Sequence, residues 1–198
     1  CKVKIKNNQI NVIIKPRNKY FKELISIFKY EGIIRDKILQ YKFEDKAYMY
    51  NTFAKIILKN EKICGLLKKY DIIIPVPMTN KKIKERGYNQ TEIIAKIISQ
   101  NITNITMQKN VLIKYKNNKV QSQLNKEQRQ QNVQNVYELN NEEIIKNKNI
   151  LILDDIYTTG ATCNECVKTL KNAQPKKIGI ITIAKDCEKI QVKNNRKE

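Results

Sequence analysis

Ile150-Leu-Ile-Leu-Asp154-Asp155-Ile-Tyr-Thr158-Thr159-Gly160-Ala161-Thr162 reads as three pieces in succession: an apolar strand, a pair of carboxylates, and a hydroxyl- and glycine-bearing turn that opens a helix. The aliphatic run leaves no polar alternation, so it fits a strand buried on both faces, as in a parallel sheet. In an open α/β sheet, ligands bind just beyond the carboxyl ends of the strands. The helix that follows, over about Ala161–Asn172, offers unpaired N–H groups and a favourable dipole to an anion. Gly160 lets the backbone approach a phosphate closely, and Thr158, Thr159 and Thr162 add hydroxyl donors. Asp154 and Asp155 would repel that phosphate if they faced it. They make sense as acceptors for a sugar diol, and they can help order a nearby Mg²⁺ through bound water. The pattern therefore predicts a ligand with a ribose diol next to a terminal phosphate. A plain reading, in which Asp caps a helix and Thr and Gly fill an ordinary turn, does not account for the complete run.

Working outward, Asp71-Ile-Ile-Ile-Pro75 is a short β-branched run stopped by proline, another buried strand. Gly87 precedes a helical segment over Asn89–Gln100, with Ile93, Ile94, Ile97 and Ile98 on its buried face. Val111–Tyr115 reads as a second strand, and Lys177–Ala184 as the last. Strands alternating with helices specify an α/β fold, a parallel sheet flanked by helices. The stretch from Lys116 to Asn135 is polar and long, a length usual for functional or mobile loops. Before Tyr70 the pattern is helical. Phe21, Leu24, Ile25 and Phe28 make one stripe, Ile33, Ile34, Ile38 and Leu39 a second, and Ala47–Leu58 a third helix. The chain thus divides into a mainly helical N-terminal segment over 1–69, an α/β domain over 70–185 and a basic tail over 186–198.

Bulk composition narrows the function. The 198 residues carry 39 Lys and Arg against 19 Asp and Glu, a formal net charge of +20. That balance suits polyanions, nucleic acid and phosphorylated substrates among them. Lys, Asn and Ile dominate every segment, however, as compositional drift would give, where a nucleic-acid footprint would be clustered and interleaved with aromatics. There is no His, so acid–base work falls to carboxylates, Lys, Tyr or water. The odd count of five Cys argues against a disulfide framework, and no apolar run reaches the roughly 18 residues of a membrane span, so a cytoplasmic protein is the expectation. Cys163 and Cys166 form a C-x-x-C inside the helix after the turn, where packing is the simpler role. Lys81, Lys82 and Lys84 read as surface charges, one of them within reach of a phosphate.

Leu153–Thr162 resembles the phosphoribosyl-pyrophosphate-binding motif of type I phosphoribosyltransferases. More narrowly, the chain is similar to the competence protein F family. Asp71-Ile-Ile-Ile-Pro-Val-Pro77 followed by Arg86-Gly-Tyr-Asn-Gln90 resembles that family's second signature, and Gln121-Ser-Gln-Leu124 with Arg129 and Asn132-Val133 its third. The resemblance implies a type I phosphoribosyltransferase fold in which Asp154 and Asp155 bind the ribose hydroxyls. Thr158, Thr159, Gly160, Ala161 and Thr162 would cradle the 5-phosphate. The turn at Val76 and Pro77 would face the pyrophosphate with Arg86 as an anion ligand, and Arg129 would lie on the loop that closes over the site. It implies phosphoribosyl pyrophosphate or a related ribose phosphate as ligand, Mg²⁺ carried by that ligand, and transfer of phosphoribosyl to a nitrogen acceptor. It also implies a place in competence, the uptake of DNA. The alternative is a non-catalytic factor that meets single-stranded DNA or a helicase through its basic surface. Many members of that family carry an N-terminal zinc-binding cysteine module; here Cys1 is the one cysteine in that region, a candidate remnant of it.

Overall fold

The computed structural model describes residues 20–43, 48–116 and 134–186. In chain order it contains β1 (Leu24–Lys29), α1 (Gly32–Phe43), α2 (Tyr48–Lys59), α3 (Glu61–Leu67), β2 (Ile72–Pro75), α4 (Asn80–Arg86) and α5 (Gln90–Asn101). There follow β3 (Thr106–Met107), β4 (Leu112–Lys114), β5 (Tyr137–Leu139), a 3-10 turn (Glu142–Ile144), β6 (Asn149–Tyr157), α6 (Ala161–Lys171) and β7 (Lys177–Lys185). Five strands form one parallel sheet in the order β1-β7-β6-β2-β3. β4 and β5 pair antiparallel in a separate two-stranded ribbon. Among the described residues no helix is long and apolar enough to cross a membrane.

The unbroken apolar strands follow from burial on both faces, and successive side chains divide between two cores. Ile73, Leu151, Leu153 and Ile181 pack with Phe53, Ile57, Ile94 and Ile98 of α2 and α5. Ile72, Ile74, Ile150, Ile152 and Ile180 pack on the other side with Cys163, Cys166, Val167 and Leu170 of α6, and with Leu112 and Tyr137 of the ribbon. The expected strands Asp71–Pro75, Asn149–Asp154 and Lys177–Ala184 are all present, the second running on to Tyr157. The expected helices Ala47–Leu58, Asn89–Gln100 and Ala161–Asn172 are present as α2, α5 and α6. On α5, Ile94 and Ile98 are buried as expected, but Ala95 joins them while Ile93 and Ile97 are only partly covered.

Two expectations are corrected. Phe21, Leu24, Ile25 and Phe28 have helical spacing, yet Leu24–Lys29 is β1, hydrogen-bonded in parallel to β7. Leu24, Ile25, Ile27 and Phe28 are contiguous enough to be buried on both faces of a strand, and periodicity cannot separate that from a helix in so short a run. Val111–Tyr115 does contain a strand, but β4 lies in the ribbon and not in the parallel sheet; the two-residue β3 takes the edge beside β2. A strand covered on both faces cannot accommodate the exposed Ile113 or the Lys114 charge, whereas a one-sided ribbon can. The helices α3 and α4 were not foreseen.

Candidate functional site

The strand order places a topological switch between β2 and β6. From β2 the chain proceeds to β3 on one side, and from β6 to β7 on the other, so a crevice opens at the carboxyl ends of these neighbours. Pro75 lies opposite Leu153 in the ladder, and the Val76 N–H donates to the Leu153 carbonyl at 2.9 Å. Val76 and Pro77 therefore emerge beside Asp154 and Asp155, two of the expected site segments brought together from residues far apart in sequence.

Both carboxylates lie within β6, so they project to opposite faces of the sheet. Asp154 turns toward α6 and the ribbon: its Oδ1 accepts from the Asp155 N–H at 2.8 Å and its Oδ2 lies 3.7 Å from the Cys163 thiol. Burial, then the charge of Asp154, pushes both the Cys163 and Cys166 thiols well up, so they stay protonated packing groups. This agrees with the simpler reading of the C-x-x-C pair. Asp155 is on the other side, near enough to Tyr50 to act on it. Burial pushes the Tyr50 hydroxyl up, and Tyr88 and Asp155 add to the effect. The Tyr50 and Tyr88 rings meet edge to face with centroids 5.4 Å apart.

After Tyr157 the chain makes the turn Thr158-Thr159-Gly160. Gly160 sits at φ +76°, ψ 3° immediately before the first residue of α6, a left-handed conformation that favours glycine. A side chain there would also collide with the Tyr157 ring. The Thr159 hydroxyl oxygen accepts from the Ala161 N–H at 3.3 Å, and the Gly160 carbonyl accepts the first bond of α6 from the Asn164 N–H at 2.8 Å. The turn is thus preshaped, with the first amides of α6 directed out of the helix end. Burial pushes the Tyr157 hydroxyl up to about 12, with Cys163 contributing.

On the β2 side, the Arg86-Gly-Tyr-Asn-Gln90 segment is the end of one helix and the start of the next. Arg86 is the last residue of α4, Gly87 is left-handed at φ +78°, and Asn89 caps α5 by accepting from the Thr91 N–H at 3.2 Å. The Asn89 amide and the Thr91 hydroxyl both donate to the Val76 carbonyl, at 3.1 and 3.0 Å, which ties the Val76–Pro77 turn to the helix that follows. Arg86 is half-buried; of the three expected surface lysines, Lys81 and Lys84 are exposed and Lys82 is half-buried.

Several residues here were not singled out from the sequence. Asn89 was read as the first residue of a helical segment and as part of the Arg86–Gln90 signature, without its tie to Val76. Lys114 was missed altogether. It pairs with Tyr137 across the ribbon, its amine stands 5.4 Å from the centre of that ring, and its surroundings include Lys82, Cys166 and Asp154. Burial first, then Lys82, lowers its pKa to about 8. No signal marked it: in Val111–Tyr115 the alternate positions Val111, Ile113 and Tyr115 are all apolar, so a period-2 reading alone turns Lys114 outward. The Tyr137 hydroxyl is buried and makes no regular hydrogen bond among the described residues, the Cys166 sulfur beside it being a weak partner. Arg129, Gln121–Leu124, Asn132, Val133, Cys1 and the tail from 187 onward lie outside the described residues.

Residues 83–197 match the family described as "Phosphoribosyl transferase domain". The chain is 28% identical over 157 residues to "Competence protein F" of Haemophilus influenzae, an alignment covering 75% of this chain and 66% of that protein. It is 26% identical over 146 residues to "Competence protein ComFC" of Bacillus subtilis, covering 73% of this chain and 56% of that one. It therefore spans somewhat less than two thirds of the length of these two relatives. A purine phosphoribosyltransferase from Pyrococcus horikoshii superposes with a TM-score of 0.44 at 17% identity, covering 70% of this chain and 83% of that one. With the matched region taking in more than half of its length, from α4 through β6, the dicarboxylate turn and β7, this chain belongs to the phosphoribosyl transferase domain family.

Proposed function

We propose that the crevice between β2 and β6 binds phosphoribosyl pyrophosphate and that the protein transfers its phosphoribosyl group to a nitrogen acceptor. The observation that carries this reading is the meeting, at the sheet's switch point, of a dicarboxylate strand end, a left-handed glycine turn opening α6, and the Val76–Pro77 turn. An anion at the α6 start, a diol at the carboxylates and a second anionic group toward Val76, Pro77 and Arg86 use each element for the charge it suits. Thr158, Thr159, Gly160, Ala161 and Thr162 surround the 5-phosphate in this assignment, and Arg129 is assigned to the ligand's anionic groups.

Mg²⁺ fits as an ion that arrives on the ligand. Among the described residues no group of three or more His, Cys, Asp or Glu side chains could hold a metal, and Mg²⁺ typically keeps water and ligand phosphate oxygens in its shell. When bound it would neutralise the departing pyrophosphate. The protein's part is to position the ribose and to hold charge at the leaving group, with no histidine base required. Displacement at C1 would pass through an oxocarbenium-like state, as in glycoside cleavage.

The names of the relatives support a place in competence and DNA uptake. A second reading, favoured by the net charge of +20, is a non-catalytic factor that uses the basic surface to hold single-stranded DNA or a helicase partner. Calorimetric titration of phosphoribosyl pyrophosphate with Mg²⁺ tests the first reading. Micromolar binding by wild type that disappears in Asp154→Asn/Asp155→Asn supports it, and an acceptor screen for pyrophosphate release then tests turnover. Absence of binding by folded wild type, with salt-sensitive single-stranded DNA binding that is indifferent to Asp155, would establish the second.

A further inference from the structure

Packing alone does not account for Cys163. It is the third residue of α6, within the first turn of that helix, and only 1% exposed. Along β6, Ile150, Ile152 and Asp154 alternate onto the face that α6 covers, so the first carboxylate on that face arrives opposite the helix start. There the Cys163 thiol donates to Asp154 Oδ2 at 3.7 Å, while Asp154 Oδ1 accepts from the Asp155 N–H at 2.8 Å. Burial, then the Asp154 charge, pushes the thiol well up, so it keeps its proton and serves the carboxylate as a donor. An aliphatic side chain would fill the same place among Ile150, Ile152 and Val167, but would take this donor away from the carboxylate. Cys166, one turn further along, is equally buried but has the Tyr137 hydroxyl beside it.

We infer that Cys163 is a positioning residue of this site, acting through Asp154 to join the start of α6 to the dicarboxylate strand end. The inference deepens the ribose-phosphate reading and rests on it for the ligand. In that reading the phosphate cradle and the acceptors for the ribose diol are separate parts, and along the chain only the turn after Tyr157 connects them. The thiol contact spans nine residues and closes that turn from the inside, against the sheet. It ties the helix whose first amides meet the phosphate to the strand whose carboxylates meet the diol. The second Asp154 oxygen carries the tie on to the peptide that bears Asp155. A thiol is a weak donor, so its loss loosens the spacing of the two parts without removing either.

The experiment has two arms. Calorimetric titration of phosphoribosyl pyrophosphate with Mg²⁺ compares wild type, Cys163→Ser and Cys163→Ala. Serine keeps a donor at the same place, while alanine removes it and stays apolar. Cys163→Ala is expected to bind about threefold to tenfold more weakly, the loss of one modest hydrogen bond, and Cys163→Ser to stay close to wild type. A residue that only packs gives the reverse order, because a hydroxyl is the poorer filling for an apolar site. Wild-type affinity in Cys163→Ala, with Cys163→Ser the weaker binder, therefore overturns the inference. The second arm is infrared spectroscopy of the proteins without ligand. A thiol that donates to a carboxylate has its S–H stretch at lower frequency than a free thiol, and the Cys163 band is the one that disappears in Cys163→Ser. In Asp154→Asn that band should move to higher frequency. An unmoved band overturns the inference, even where Cys163→Ala fails to fold. If wild type binds no phosphoribosyl pyrophosphate, the ligand reading fails on its own, and the band decides whether Cys163 holds Asp154: a shift sustains the tie and an unmoved band ends it.

Discussion

The Asn89 side chain donates to the Val76 carbonyl at 3.1 Å while its own oxygen accepts from the Thr91 N–H at the start of α5. One residue therefore joins the turn after β2 to the helix two elements later, and both groups it serves are buried. Asn89→Ala is expected to cost about 1–2 kcal/mol, as lost caps and stranded buried partners do. Urea unfolding measures that cost. Affinity for phosphoribosyl pyrophosphate should fall in the same variant, because the Val76–Pro77 turn loses one of its two ties to α5.

Gly160 combines a left-handed backbone with a side-chain direction occupied by Tyr157. Gly160→Ala is expected to lose about 1–2 kcal/mol for the conformation alone, and more for displacing the ring. The change in ligand affinity should exceed the change in stability, since the turn itself is the proposed phosphate cradle. Thermal unfolding and calorimetric titration of the same preparation separate the two effects.

Glu23 accepts from the Tyr70 hydroxyl and from the Lys177 ammonium, and Lys177 stands 4.5 Å from the centre of the Tyr70 ring. Burial acts to raise the Glu23 pKa, but Lys177 and Tyr70 together outweigh it and hold the carboxyl below its ordinary value. The carboxylate thus contributes stability above the unfolded value of about 4.3 that is lost as pH falls through its lower folded value. Glu23→Gln should lower the melting temperature at neutral pH and flatten its acid dependence. Melting curves between neutrality and about pH 3 check this.

Lys114 has a linkage of the same sign for the opposite reason, its charged form being the one that burial disfavours. Its folded pKa of about 8 lies below that of an unfolded lysine, so between those values the unfolded state holds the extra proton and wild-type stability gains with rising pH. Lys114→Met removes that gain. It should be more stable than wild type near neutrality, where the buried charge is present, with the difference narrowing as pH rises through about 8 and beyond. Denaturant unfolding of the pair across this range gives the difference directly.

The sheet's central strands were legible because burial on both faces leaves an apolar run that little else produces: Ile72–Pro75, Ile150–Leu153 and Ile178–Ile183 carry it plainly. The dicarboxylate turn was legible because residue types and order carry the chemistry. β1 was not, since Phe21, Leu24, Ile25 and Phe28 satisfy helical spacing while their neighbours satisfy a strand. The partnership of β4 was not, since a three-residue strand does not say which strand it pairs with, and β5 lies beyond a long polar stretch. Within the site, the sequence could pair Asp154 with Asp155 but not separate them. Their difference comes from the pleat and from what α2, α6 and the ribbon place on each side.

The pairing of β1 with β7 has a consequence for synthesis. Leu24 meets Ile180 and Phe28 meets Ala184, so the earliest strand of the described fold waits for the latest before it finds its neighbour in the sheet. β6, which bears the aspartates, is also flanked by β7. A nascent chain halted before Lys177 would present β1 and one side of β6 as open edges, the kind of surface that invites wrong pairing. The ribosome must therefore release the chain through β7 before β1 has a neighbour and before the strand that bears the aspartates is braced on both sides.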